Sequence, residues 1–282
     1  MQKIGILTDT TCDLDLEYLE QKNIRVIPLQ IIFNDGRTFR DKFEISYQEV
    51  MDSLETCETK TSLPTIQETI DAMDSFVEEG YTHVLTFMLA STLSGTFNMV
   101  QTVSKEYEDK LVINNIDSKS VTVGNGHFIK KAQAMIEEGK SFEEISQYMD
   151  ENIKKQEIFL SAESLKHLIR GGRVGKVAGF VGEALDIKPV LHIDREANIL
   201  PKERVRGRKK SIVKIADMHK EAAKGKEMEK LYVLQGDRMC EAETLKERLE
   251  EIFDCPIEIC QIGSLVSVHV GPGLIGAVAI YK

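Results

Sequence analysis

Short apolar runs alternate with amphipathic stretches through the first half of the chain. Residues 4–8 form a compact run of strand type. Residues 24–33 form a longer one that closes on Asn34-Asp35-Gly36, a turn signal. Between them, Thr10, Thr11 and Asp13 are candidate caps for a helix over about 14–22. Ser46 with Glu49, Thr65 with Glu68 and Ser141 with Glu144 repeat one spacing. In it the hydroxyl caps the third helical N–H while the carboxylate reaches back, so helices are predicted to about 55, 79 and 155. Strands over 82–87 and 111–116 and helices over 96–107 and 120–138 fill the interval. Single helices between strands imply an α/β unit with a mainly parallel, helix-covered sheet, because parallel neighbours need a crossover.

The second half reads differently. A strand over 158–162 leads to a short helix and the glycine-rich residues 171–182. Apolar runs 187–193 and 199–205 flank polar residues 194–198, a hairpin pattern. Helices over 209–224 and 240–253 and strands over 231–236, 257–262 and 274–281 follow. A hairpin among helices predicts an α+β domain with a mixed or antiparallel sheet. The length of 282 residues suits two cores, with the boundary near Gln156: domains 1–156 and 157–282.

A formal charge of −10 argues against nucleic-acid binding, which needs cations to neutralise phosphates. It also requires that any anionic ligand be held by local donors against the overall field. The five cysteines are scattered with no CxxC pair, which reads as reduced thiols in a cytoplasmic protein without a structural metal. Met1 runs directly into a strand-like segment, with no secretory pattern, and no apolar run approaches the roughly 20 residues of a membrane span. Membrane contact is expected to be transient and at the surface.

Several motifs fail on inspection. Gly171-Gly172-Arg173-Val174-Gly175-Lys176 hints at a phosphate loop, but Arg170 and Val177 break the pattern. Gly124-Asn125-Gly126 lacks the third glycine of a dinucleotide fingerprint, and Ser94 lies between Thr92 and Thr96 where a nucleophile elbow has glycines. No His-Glu-x-x-His pattern occurs, so neither metal nor cofactor is expected. Hydroxyls at loop-to-helix junctions remain: Thr61-Ser62-Leu63-Pro64-Thr65, and Ser91-Thr92-Leu93-Ser94-Gly95-Thr96 after a strand. Helix N-termini carry unpaired N–H groups that suit an anion. Neither segment contains Asp or Glu, so no acid is expected beside a carboxylate there. His269, before the turn signal Gly271-Pro272-Gly273, is a further donor candidate. Basic residues cluster at Lys166, Arg170, Arg173 and Lys176 and again at Lys202, Arg204, Arg206, Arg208, Lys209 and Lys210, as a solvated face or a docking surface.

Taken in order, Thr8-Asp9-Thr10-Thr11, Lys60-Thr61-Ser62-Leu63-Pro64-Thr65, Ser91-Thr92-Leu93-Ser94-Gly95-Thr96-Phe97, Gly171-Gly172-Arg173, Lys188-Pro189-Val190-Leu191 and His269-Val270-Gly271-Pro272-Gly273 resemble the DegV family over essentially the whole chain. Ala90 and Thr10 stand where many members have serine. The resemblance implies a two-domain protein with one long-chain fatty acid between the domains. It further implies service as the lipid-binding subunit of a bacterial fatty acid kinase, not an enzyme itself, whose ATP-binding partner phosphorylates the acyl carboxylate for phospholipid synthesis. On that resemblance Thr61 and Ser94 hydrogen-bond the carboxylate, Ser62 and Gly95 lie close by, and His269 completes the network. Arg173 and Arg206 meet the kinase or the acyl phosphate. The competing expectation is a serine acyl hydrolase with Ser94 as nucleophile and His269 as base, and a regulatory module acting through the basic 202–210 segment is a third.

Overall fold

The computed structural model describes residues 2–173 and 187–282. The chain divides into two compact units, one of Met1–Tyr47 and Glu58–Lys154, the other of Gln48–Cys57 and Lys155–Lys282. The glycine-rich stretch expected over 171–182, with Lys176, falls mostly outside the described residues.

In the first unit the order is β1 (Ile4–Asp9), α1 (Leu16–Gln21), β2 (Arg25–Ile27), β3 (Gln30–Phe33) and β4 (Thr38–Arg40). After α2 (Tyr47–Ser53), which from Gln48 onward counts with the second unit, come β5 (Thr59–Ser62), α3 (Ile66–Glu78), β6 (His83–Met88), α4 (Thr96–Ser104), β7 (Val112–Asp117), α5 (Val123–Glu137) and α6 (Phe142–Asn152). Strands β2-β1-β6-β7 form a parallel sheet in that order. Leu7, Val84 and Met88 pack with Met73 and Phe76 of α3 and Val100 and Val103 of α4, all buried. Packing of α5 on β1 and β6 supplies further core through Phe128, Ile129 and Ala132. The expected capping boxes at Thr65–Glu68 and Ser141–Glu144 are both formed.

Three expectations are corrected here. Residues 24–33 are not one strand: Pro28, lacking an N–H, interrupts the ladder after β2, and β3 joins a separate antiparallel sheet of order β4-β3-β5. Thr61 and Ser62, read as loop, lie on β5 of that sheet. The helix expected from 14 instead starts at Leu16, after a 3₁₀ turn over Thr10–Cys12.

In the second unit the described strands β8 (Gln156–Ser161), β9 (Ile187–Ile193), β10 (Ile199–Arg206), β11 (Met228–Gln235), β12 (Ile257–Gln261) and β13 (Ile275–Tyr281) pair in the order β10-β9-β8-β13-β11-β12. All contacts are antiparallel except β11–β12, so the sheet is mixed. Helices α8 (Arg208–Ala222) and α9 (Met239–Glu250) bury Ile212, Ile215, Leu245 and Leu249 against one face. The short helices are α7 (Lys166–Arg170) and α10 (Ser264–Val270). His219 of α8 is fully buried, packs edge-on to Phe159 and places Nε2 3.1 Å from the Ala277 carbonyl.

Candidate functional site at the strand ends of the parallel sheet

From β1 the chain moves first to β2 on one side and then, by way of β6, to the other, so the strand order reverses between β1 and β6. In open parallel sheets ligands bind at such a point, beyond the carboxyl ends of the strands. Three loops meet there and are laced in a closed circuit. Asp9, at the end of β1, accepts from the Thr11 N–H at 2.8 Å and hydroxyl at 2.5 Å, and with its other oxygen from the Leu89 N–H beyond β6 at 2.8 Å. Ala90 N–H donates to the Ser120 carbonyl beyond β7 at 2.8 Å. Thr122 N–H returns to the Thr11 carbonyl at 2.8 Å. Gly126 of α5 completes the fit, since a β carbon there would stand 2.6 Å from the Cys12 carbonyl.

The two hydroxyl segments become neighbours at this edge. Gly95 caps α4 without a side chain, and a β carbon on it would lie 3.5 Å from Leu63, in ordinary contact. Ser94 is half-buried; its hydroxyl stands 2.9 Å from that of Thr96 and accepts the Thr96 N–H at 3.3 Å. Thr61 is half-buried and Ser62 exposed, as the alternation along β5 requires, so their side chains point to opposite faces. A groove of about 690 Å³ runs between α3 and α4, lined by Ile66, Ile70, Met99, Val103 and Tyr107 among others, and includes none of the hydroxyl candidates.

The expectation that no acid stands near these segments is overturned. Asp117 at the end of β7 accepts from Ser91 through both its N–H, at 3.2 Å, and its hydroxyl, and from Lys119 through its N–H at 3.1 Å and ammonium at 2.8 Å. Burial opposes its charge, but the hydrogen bonds from Lys119 and Ser91 outweigh that and hold its carboxyl below the usual range. Asp9 goes the other way: full burial raises its carboxyl despite three hydrogen bonds. Both acids come from strand ends distant in sequence. Their only sequence signal is an Asp closing an apolar run, as in Thr8-Asp9-Thr10.

In the second unit His269 lies in the last turn of α10, which ends just before Gly271. It packs against Gly171, where a β carbon would meet its Nδ1 at 2.3 Å, while His167 packs the same way on Gly271, which has φ +75°. Arg173 donates to the Gly171 carbonyl at 2.6 Å, which gathers Arg173, Gly171 and His269. Burial, aided by the Arg173 charge, pushes the His269 imidazole down to about 4, so it is neutral at pH 7. Arg206 is elsewhere, exposed at the end of edge strand β10. A base poised near 4 is poorly matched to work at neutral pH, so the hydrolase expectation gains nothing from His269.

An α/β protein with its hydroxyl-bearing loops at a topological switch point is the class these features define. Residues 3–282 match the family model described as "Uncharacterised protein, DegV family", and the chain belongs to that family. It is similar to a DegV domain-containing protein of Clostridium acetobutylicum, 35% identical over 100% of both chains. Among solved structures it resembles a fatty acid binding DegV family protein from Streptococcus agalactiae, with TM-score 0.90 at 29% identity over 100% of both chains. It also resembles a stearic acid-binding protein from Eubacterium ventriosum, with TM-score 0.88 at 30% identity over 100% of this chain and 99% of that one. Among the described residues no helix is long and apolar enough to cross a membrane.

Proposed function

We propose that this chain binds one long-chain fatty acid, with Thr61 and Ser94 donating to the carboxylate, and presents that carboxylate to a separate ATP-dependent kinase subunit. The observation that carries the reading is the nearness of Leu63 to Gly95, where a β carbon would lie 3.5 Å from the leucine side chain, which brings the two hydroxyl segments together at a helix N-terminus. The fatty acid-binding relatives supply the ligand class. His269 enters on the family resemblance, and its neutral imidazole retains one N–H to donate. Ser62 and Gly95 contribute backbone groups beside these donors. The chain itself performs no chemistry; phosphorylation belongs to the partner, met by Arg173 and Arg206, and the acyl phosphate feeds phospholipid synthesis. The setting is the cytoplasm, with transient contact at the membrane surface.

Affinity comes from the tail and orientation from the hydroxyls. Burying the ~14 methylenes of a sixteen-carbon acid at roughly 0.8 kcal/mol each gives about 11 kcal/mol before the costs of association. Each head-group hydrogen bond adds about 1–3 kcal/mol. Mass spectrometry of lipid extracted from freshly purified protein is expected to find about one fatty acid per chain; finding none would remove the reading. With a kinase subunit added, Ser94→Ala and Thr61→Ala are expected to lower acyl phosphate formation, and unchanged formation would strip both residues of their roles.

A further inference from the structure

We propose that Asp9 and Asp117 are positioning residues for the head-group loop, two carboxylates that hold residues 89–94 from opposite sides so that Ser94 and the start of α4 face the acyl carboxylate. The inference rests on the fatty acid reading above. A loop that leaves donors open for a ligand has few bonds of its own, and its donors are useful only if held in place before the ligand arrives. Here the holding comes from outside the loop. Asp9 grips it at Leu89 from β1, and Asp117 grips it at Ser91 from β7. Between these grips Ala90 is fixed to Ser120, and Ala90 in turn accepts the N–H groups of Leu93 and Ser94 at 2.9 and 3.2 Å. The chain of bonds therefore ends on the residue that carries the candidate hydroxyl.

Carboxylates are hazardous neighbours for an anionic ligand, and the structure answers that hazard. Lys119 sits in the left-handed region at φ +50°, uncommon outside glycine, and both its N–H and its ammonium close on Asp117. Asp9 is fully buried with both oxygens occupied by donors. Asp117 supplies strong charge-assisted hydrogen bonds while Lys119 takes up its charge, and the oxygens of Asp9 are turned to donors of the protein itself.

The test compares dissociation constants of the full chain for palmitate and for hexadecanol, which share a tail and differ in the head group. Wild type is expected to prefer palmitate. Asp117→Asn is expected to cut that preference about tenfold, the loss of one well-placed charged contact. Asp9→Asn is expected to act in the same direction, and Ser91→Ala more weakly. The double variant Ser91→Ala/Asp117→Asn should be no worse than Asp117→Asn, since both remove one contact. Lys119→Met, which frees the Asp117 charge, should weaken palmitate and spare hexadecanol. Equal loss of both ligands in Asp117→Asn, or an unchanged preference, overturns the proposal and assigns the aspartate a merely structural part. If Asp117→Asn fails to fold, Ser91→Ala decides by the same ratio. A wild type that binds neither ligand defeats the fatty acid reading itself; one that binds both equally leaves tail binding but defeats the carboxylate roles of Thr61 and Ser94 together with the positioning role, whereas a wild-type preference unchanged in Asp117→Asn defeats the positioning role alone.

Discussion

The two units secure their candidate residues by different physics. In the first, three strand-end loops are laced by backbone hydrogen bonds and by the carboxylates of Asp9 and Asp117. In the second, His269 is held by the shape of its surroundings, its ring lying where Gly171 has no side chain, with its proton affinity set by burial. A lattice of paired carboxylates keeps its charges until strong acid but gives added atoms no room where backbone meets backbone, whereas a buried neutral ring is lost to milder acid but can turn aside from added bulk. The contrast teaches that acid and added bulk should strike the two units unequally.

Acidification is expected to give the largest difference. His219 and His269 both sit near 4 in the folded chain against an ordinary 6.5. The unfolded chain therefore binds more protons between those values, and stability present above about 6.5 is lost as pH falls toward 4, by about 3 kcal/mol for a fully buried histidine. Asp117 has a lowered carboxyl, so its contribution is retained above about 3.9 and disappears only in stronger acid. Hydrogen exchange between pH 7 and 4.5 should show the second unit losing protection first; a first unit that opens earlier would break the comparison.

Added bulk comes next. Gly126→Ala presses a β carbon on the Cys12 carbonyl, backbone that cannot swing aside, and is expected to cost about 2–3 kcal/mol in urea denaturation. Gly171→Ala meets an imidazole that can rotate, and is expected to cost less, about 1–2 kcal/mol, while moving the His269 titration followed by NMR. A smaller effect is expected for Thr65→Ala, which breaks the capping box of α3 for about 1 kcal/mol with no change in the second unit. Arg206→Ala, on an exposed edge strand, should leave the melting temperature unchanged and alter only partner binding.

Local signals account for what was legible. The boxes at Thr65 and Ser141 and the hairpin of β9 and β10 are encoded within a few residues and formed as expected. The break at Pro28 was visible as a residue without an N–H, yet the apolar run on both sides read as one strand. Helix α10 went unread because Ser264–Val270 is short and apolar, and short apolar runs do not distinguish helix from strand. The hydroxyl segments were legible as types; their meeting through Leu63 and Gly95 was not, because it depends on the order of strands in the sheet. Asp9 and Asp117 escaped for the same reason, each acting on a loop 80 or 26 residues away.

The most direct measurement is the carbon NMR signal of carboxyl-labelled palmitate bound to the full chain, in wild type and in Ser94→Ala and Thr61→Ala. A single bound resonance, displaced from that of free palmitate and shifted by each substitution, is the predicted result. A bound resonance that neither substitution moves would contradict it.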